Sequence, residues 1–293
     1  MTRSAWWFVA PALAVIVAFF YVPVTAALVL SATDFDIYVI ASAKNLRWLG
    51  VENYRRLFDD PRFWTALRNT GFFVVAGGTL SVLTSFVAAL AVSARLVRGR
   101  ALFRTVFFAP VVTTLVAVAV VWRYLYHPRL GPLAATARAL GLEPVDWLGD
   151  PRWVMPAIVL MAVWKNFGFN MVIFMAGLQA IPERLYEAAR LDGATAWQQL
   201  RHVTLPLLLP TSVFVLLMTA IGHFQLFAEP YVMTRGGPGD ASLSVVLLMY
   251  EQGFRWWSMG YAAAIAFVLF AIILVVTSLQ LLLRRQIASE RAT

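Results

Sequence analysis

The chain has 293 residues, 61% of them apolar and 13% charged, whereas an ordinary soluble domain carries about 25% charged residues. The net charge is +9, but the basic residues flank apolar blocks and do not gather on one face, so nucleic acid is not an expected partner. With no cysteine there is no disulfide framework and no thiolate metal or redox centre, and His127, His202 and His223 are too far apart for a metal-ligand spacing.

Apolar blocks fall near 6–31, 70–94, 102–125, 153–179, 207–228 and 257–283, each long enough for the roughly 20 residues that cross a bilayer core. A backbone in lipid must satisfy its own hydrogen bonds, and alternating strand patterns are absent, so the expectation is an all-α integral membrane protein with six transmembrane helices in a single domain, 1–293. The first block follows Arg3 and runs uncharged from Ala5 to Leu30, too long for a cleaved signal peptide, and reads as a retained span. In the first connector, Asp60 suits the cap of a helix starting at Pro61, with Phe63, Trp64 and Leu67 on one face, like a helix lying at the membrane interface. The second connector holds Arg95, Arg98, Arg100 and Arg104 with no acid, which marks it as cytoplasmic. Both termini then lie in the cytoplasm, in keeping with Arg3 and with Arg284 and Arg285. The connector after the third block is rich in turn residues and is expected to fold against the outer surface.

The fourth block carries "WKNFGFNMVIF", in which Lys165, Asn166, Phe169 and Asn170 fall on neighbouring helical positions. Ionisable groups within a membrane are costly, so each is a functional candidate. In the fifth block Thr219 and His223 are four apart, with Gln225 on another face. Two readings stay open for Asn166, Asn170 and His223: a midplane cavity whose polar groups bond a hydroxylated solute while Phe169 or Trp164 stacks on it, or glue between helices. Glue is the reading for Gln225. Lys165 fits the solute pathway, or the role of counter-charge to an acid on a neighbouring subunit.

Between those two blocks, 181–206 is the longest cytoplasmic connector, and its punctuation is strong. Pro182 suits the first turn of a short helix reaching Leu191, and Gly193 suits a left-handed turn ending it. Thr195 and Gln198 form a capping box for a second helix that Pro206 is expected to stop. Such a hairpin suits docking through Tyr186, Glu187, Ala188, Ala189 and Trp197. The alternative is an amphipathic connector on lipid headgroups, which its three acids against three arginines disfavour. Beyond it, Glu229, Tyr231 and the turn from Gly236 to Gly239 are expected on the outer side, open to docking from outside the membrane, though a turn closing two spans is the plainer reading of the glycines.

Glu187, Ala188 and Ala189, then Gly193 after three residues, then Val203, Leu205 and Pro206 after nine more, resemble the EAA signature of the membrane-spanning permease subunits of bacterial binding-protein-dependent ABC importers, with valine in place of isoleucine. The resemblance covers nearly the whole chain and is nearest to sugar permeases of the maltose and glycerol-3-phosphate uptake type, through stretches such as "YVMTRGGPG" and "MGYAAAIAFVLF". It implies that the loop is a coupling helix seated in an ATPase subunit, with Glu187 and Gly193 at the family's positions. It also implies a second permease, two ATPase subunits, an extracytoplasmic solute-binding protein, a sugar-like substrate reached through the fourth and fifth spans, and no cofactor on this chain, ATP and magnesium being held by the ATPase. The residues agree: a P-loop needs Gly-Lys-Ser/Thr, whereas Lys44 and Lys165 are each followed by asparagine. A self-contained secondary transporter remains the alternative, though no carboxylate lies well inside a span and no inverted repeat is visible. No catalytic constellation points to an enzyme.

Overall fold

The computed structural model describes residues 3–38, 46–94 and 98–289, with side chains from Trp6 to Leu282. Lys44 and Arg95, and the side chains of Arg3, Arg284 and Arg285, lie outside the described residues. Among those described, five helices are long and apolar enough to cross a membrane, or six if one sharply bent pair counts as a single span. The chain divides into two compact units: Met1–Trp64 with Val245–Ile272, and Thr65–Ser244 with Ile273–Thr293.

In the first unit, α1 (Arg3–Ile16) passes through a π turn, Val17–Tyr21, into α2 (Val22–Ser31). Trp7, Phe8 and Phe19 stand exposed along it, as expected of a helix apolar on every side whose solvent is lipid. Its polar end is tied down. Asn53 of α3 (Glu52–Asp59) donates from Nδ2 to the carbonyl oxygens of Ser31 and Thr33, at 2.8 and 2.7 Å, and so satisfies carbonyls that a helix end leaves free. α4 (Pro61–Phe72) begins where the proline and Asp60 indicate, with the Arg62 N–H donating to the Asp60 carboxylate. The interface helix expected there is not a separate element, because the same helix continues through a π turn, Phe73–Gly77, into α5 (Gly78–Ser93), one run from Pro61 to Ser93. Phe63 is buried on it while Trp64 is exposed, so the two do not share a face.

The second unit is built around α9 (Val154–Gln179), which matches the fourth apolar block and is buried on several sides. Ile158, Met161 and Ala162 pack with Val118, Ala119 and Tyr126, and lower down Met171, Phe174 and Met175 pack with Ala89, Leu208 and Val215. Close approach depends on small residues, as it does wherever membrane helices pack without a hydrophobic drive. A Cβ added at Gly168 would overlap the carbonyl oxygen of Phe107, and one at Gly177 would meet Thr211 Oγ1 at 2.7 Å.

The third apolar block is not one straight span. α6 (Arg100–Val112) ends at Thr113 and Thr114, both extended, and α7 (Leu115–Leu125) leaves at 97° to it. The break falls after Pro110, whose missing N–H frees the Val106 carbonyl in the preceding turn and not the carbonyls at the break itself. The connector that follows contains an unforeseen helix, α8 (Pro132–Ala139). Further along, α10 (Glu183–Leu191) and α11 (Ala196–Gln199) form the short helices expected in the fourth connector, but Pro206 does not stop the second. A π turn, Leu200–Thr204, links it to α12 (Leu205–Phe224) in one run, Ala196–Phe224. In that turn the Leu205 N–H reaches back five residues to Leu200, and the slipped register accommodates a proline at the start of α12. That span ends at Phe224, and Ala228 belongs to a separate short helix, α13 (Ala228–Met233). α14 (Val245–Tyr250) lies in a stretch with no sequence expectation, and α15 (Met259–Ser289) contains the last span.

Candidate functional site

A cavity of about 520 Å³ opens within the second unit, walled by α9, α12, the break between α6 and α7, and the entry to α13. It brings together Asn166, Phe169, Asn170, Thr219 and His223, five of the residues expected on a solute path. Trp164 and Lys165 are not on its wall. The Trp164 ring lies 5.5 Å from that of Trp122, in an aromatic cluster continued by Tyr126 and Trp147. Lys165, only 7% exposed, sends its ammonium to the carbonyl oxygens of Pro110 and Val111, each 3.4 Å away.

The polar groups on the wall differ in what they have left to offer. Asn170 donates from Nδ2 to Thr219 Oγ1 at 3.0 Å, a bond from α9 to α12, which leaves its carbonyl oxygen as the unused half of the amide. Asn166 has no hydrogen bond among the described residues and is half-buried. His223 Nδ1 lies 2.8 Å from the Thr219 carbonyl, so it is the protonated nitrogen of the neutral ring. Its Nε2 is closed off from solvent beside Gly77 and has no partner among the described residues. The same ring lies over Phe73 with centroids 4.9 Å apart.

Phe73, Gln225, Phe227 and Glu229 also line the cavity and were not assigned to it from sequence. Gln225, read as glue, is exposed on the wall. Glu229, read as part of an outer docking loop, is 8% exposed at the start of α13. Burial pushes its carboxyl above the ordinary carboxylate range, an effect that nearby backbone N–H groups and the Lys165 charge only partly offset. The one sequence hint was an acid followed by proline at the end of an apolar run.

The EAA segment forms a second constellation. Glu187 is exposed on α10 and has no partner among the described residues, and Ala188 is exposed beside it. Ala189 is half-buried. Gly193 adopts the left-handed conformation its position calls for, φ +77°, and the Ala194 N–H returns to the Ala189 carbonyl at 2.8 Å. The capping box is complete: Gln198 N–H donates to Thr195 Oγ1, and Thr195 N–H to Gln198 Oε1 at 2.7 Å. Tyr186 is not simply displayed, because its hydroxyl meets Thr204 Oγ1 at 2.9 Å and ties α10 to the π turn. Leu205 and Pro206 start α12, the first exposed and the second half-buried. Beneath the segment lies a cavity of about 970 Å³ lined by Glu183, Tyr186 and Arg190 and by Arg100 and Arg104.

Residues 81–289 match the family model described as the binding-protein-dependent transport system inner membrane component. The chain belongs to that family. Among curated proteins, this permease is 34% identical to the lactose transport system permease protein LacF of Rhizobium radiobacter over 97% of its own length and 94% of the relative's. It is 35% identical to the probable ABC transporter permease protein YurN of Bacillus subtilis, over 94% and 93%. The trehalose/maltose transport system permease protein MalF of Thermococcus litoralis matches at 34% over 78% and 76%. A chain of a solved bacterial alginate ABC transporter, in complex with an alginate pentasaccharide-bound periplasmic protein, has the same fold, with TM-score 0.81 at 21% identity over 97% of this permease and 94% of that chain. The protein is thus a multi-pass inner-membrane transport subunit and not an enzyme.

Proposed function

We propose that this permease forms half of the translocation pathway of an ATP-driven importer for a sugar or sugar-like solute, the whole chain acting as one permease domain. The observation that carries the reading is the 520 Å³ cavity, whose wall sets amide groups, Asn166, Asn170 and Gln225, among the rings of Phe73, Phe169 and Phe227. Amides offer donors and acceptors to hydroxyls, and aromatic faces suit the apolar faces of a pyranose. Relatives named for lactose and for trehalose/maltose transport support the same solute class.

Both termini and the loop of Arg98, Arg100 and Arg104 lie in the cytoplasm on this reading. The segment 181–206 is the coupling element, and Glu187, Ala188, Ala189 and Gly193 meet a separate ATPase subunit that holds ATP and magnesium. Leu205 and Pro206 join that element to α12, which carries Thr219 and His223 on the cavity wall. Two ATPases, a second permease and an extracytoplasmic binding protein complete the machine. ATP-driven motion of the ATPases shifts α10 and switches which side of the membrane the cavity faces. The unpartnered carboxylate of Glu187 supports a contact outside the chain. With the complete transporter in vesicles, Glu187→Lys is expected to lower uptake and solute-stimulated ATP hydrolysis together while insertion is unchanged. Stimulated hydrolysis at the wild-type level would refute the coupling assignment.

A further inference from the structure

The break in the third span needs an explanation that Pro110 does not supply, since a proline removes a hydrogen bond from the turn before it and the break lies after it. A helix that ends leaves its last carbonyls without N–H partners, and other donors have to serve them. Thr113 serves Pro110 through its hydroxyl, at 2.6 Å, and through its N–H, at 3.3 Å. Val111 receives no backbone N–H across the break. Lys165 comes to this point from α9, and its ammonium lies 3.4 Å from both the Pro110 and the Val111 carbonyl oxygens, a positive charge at the negative end of α6. One turn further along the same face, Gly168 lets the α9 backbone approach the Phe107 carbonyl so closely that a Cβ would not fit. The end of α6 is therefore held by α9 over two turns.

Val111 and Leu115, which flank the break, both line the cavity, as does Asn166, the neighbour of Lys165. Lys165 itself does not. We infer that Lys165 is a positioning residue: by binding the carbonyl oxygens of Pro110 and Val111, its ammonium sets the angle between α6 and α7 and so the shape of the cavity wall, without contacting the solute. The part of this inference that concerns transport rests on the cavity being the solute path.

The test uses the complete transporter. Because the chain has no cysteine, Val106→Cys and Val120→Cys, both at exposed positions on either side of the break, give this subunit a single pair of spin labels, introduced by labelling the purified subunit before assembly with its unlabelled partners. The interlabel distance is read by double electron–electron resonance in the parent, in Lys165→Met and in Lys165→Arg. Loss of the charge is expected to shift and broaden the distance, with arginine restoring it. In the unlabelled transporter, Lys165→Met should raise the apparent solute KM about tenfold through the altered cavity wall, and leave the maximal ATP-driven rate less affected. If Lys165→Met does not assemble, Lys165→Gln takes its place, since it keeps a donor and loses the charge. An unchanged distance in the neutral variant overturns the inference. A shifted distance with an unchanged KM upholds the positioning of the break and removes the cavity from the solute path, so the two failures are distinct.

Discussion

The bond from Asn170 to Thr219 separates glue from solute contact on one residue. Both side chains are buried, 6% and 7% exposed, and the 3.0 Å bond runs between α9 and α12. Side-chain hydrogen bonds between membrane helices average about 0.6 kcal/mol and reach about 1.7. Thr219→Val keeps the shape of the side chain and removes the acceptor, which strands the Asn170 amide nitrogen. A stranded buried donor costs about 1–3 kcal/mol, but the cavity beside Asn170 admits water, so the expected loss is near the low end, about 1 kcal/mol. Asn170→Leu should lose about the same, and the double variant little more than either alone, for a coupling energy of about 0.6–1.7 kcal/mol. Denaturant titration of the four proteins in detergent measures this cycle. Asn166 gives the contrast, because its amide has no partner to lose. Asn166→Ala should leave stability nearly unchanged and raise the apparent solute KM about tenfold, the scale of one lost hydrogen bond. Coupling below about 0.3 kcal/mol between Asn170 and Thr219, within the error of independent sites, refutes the assignment of Asn170 to helix pairing.

Glu229 predicts a pH effect. Because its folded carboxyl is raised by burial, the native state holds more protons than the unfolded one, so stability should fall as pH rises from the ordinary value near 4.5 through the raised value. Glu229→Gln should flatten that slope and raise the melting temperature at neutral pH, and an unaltered slope in melts between acid and neutral pH would count against the buried carboxyl. Gly168→Ala should destabilise by about 1–3 kcal/mol despite alanine's better helix propensity, because its methyl meets the backbone of α6 and no rotamer relieves it. Wild-type stability in denaturant titration would mean that α6 and α9 are not in such close contact.

Local chemistry written in adjacent residues was legible before any coordinates. The start at Pro61 with its Asp60 cap, the left-handed turn at Gly193 and the capping box of Thr195 and Gln198 all depend on contacts a few residues apart. The fourth span was legible to within a residue at its start, because a mostly apolar run of that length between polar ends stays recognisable despite Lys165, Asn166 and Asn170 within it. Hydropathy could not show the break at Thr113 and Thr114, because the run stays apolar across it and the break lies in the backbone dihedrals. Helical spacing put Lys165, Asn166, Phe169 and Asn170 on neighbouring positions, with Trp164 as a candidate stacking ring, but it carries no information on which neighbour each meets. Trp164 went to an aromatic cluster and Lys165 to a helix end, while Asn166 and Phe169 reached the cavity. The burial of Glu229 was not legible for a related reason: an acid at the end of an apolar run carries no sign that the chain continues into a second short helix, α13, which buries it.

The prolines show why residue type alone did not fix the course of the spans. Each takes one N–H out of the backbone, and the outcome depends on what then serves the carbonyls around it. Around Pro206 the backbone serves them itself by slipping register in the π turn, and the helix runs on from Ala196 to Phe224. At the break after Pro110 the Pro110 and Val111 carbonyls are served by the Thr113 hydroxyl and N–H and by the Lys165 ammonium, and the chain turns through 97°. Where the slipped register closes the backbone bonds the helix runs on, whereas where a side chain from another helix has to serve the carbonyls the two segments meet at an angle. A charge otherwise too costly for the middle of a membrane helix is tolerated where such carbonyls collect. The lysine of the fourth span and the break in the third are therefore one feature, and neither is expected to persist without the other.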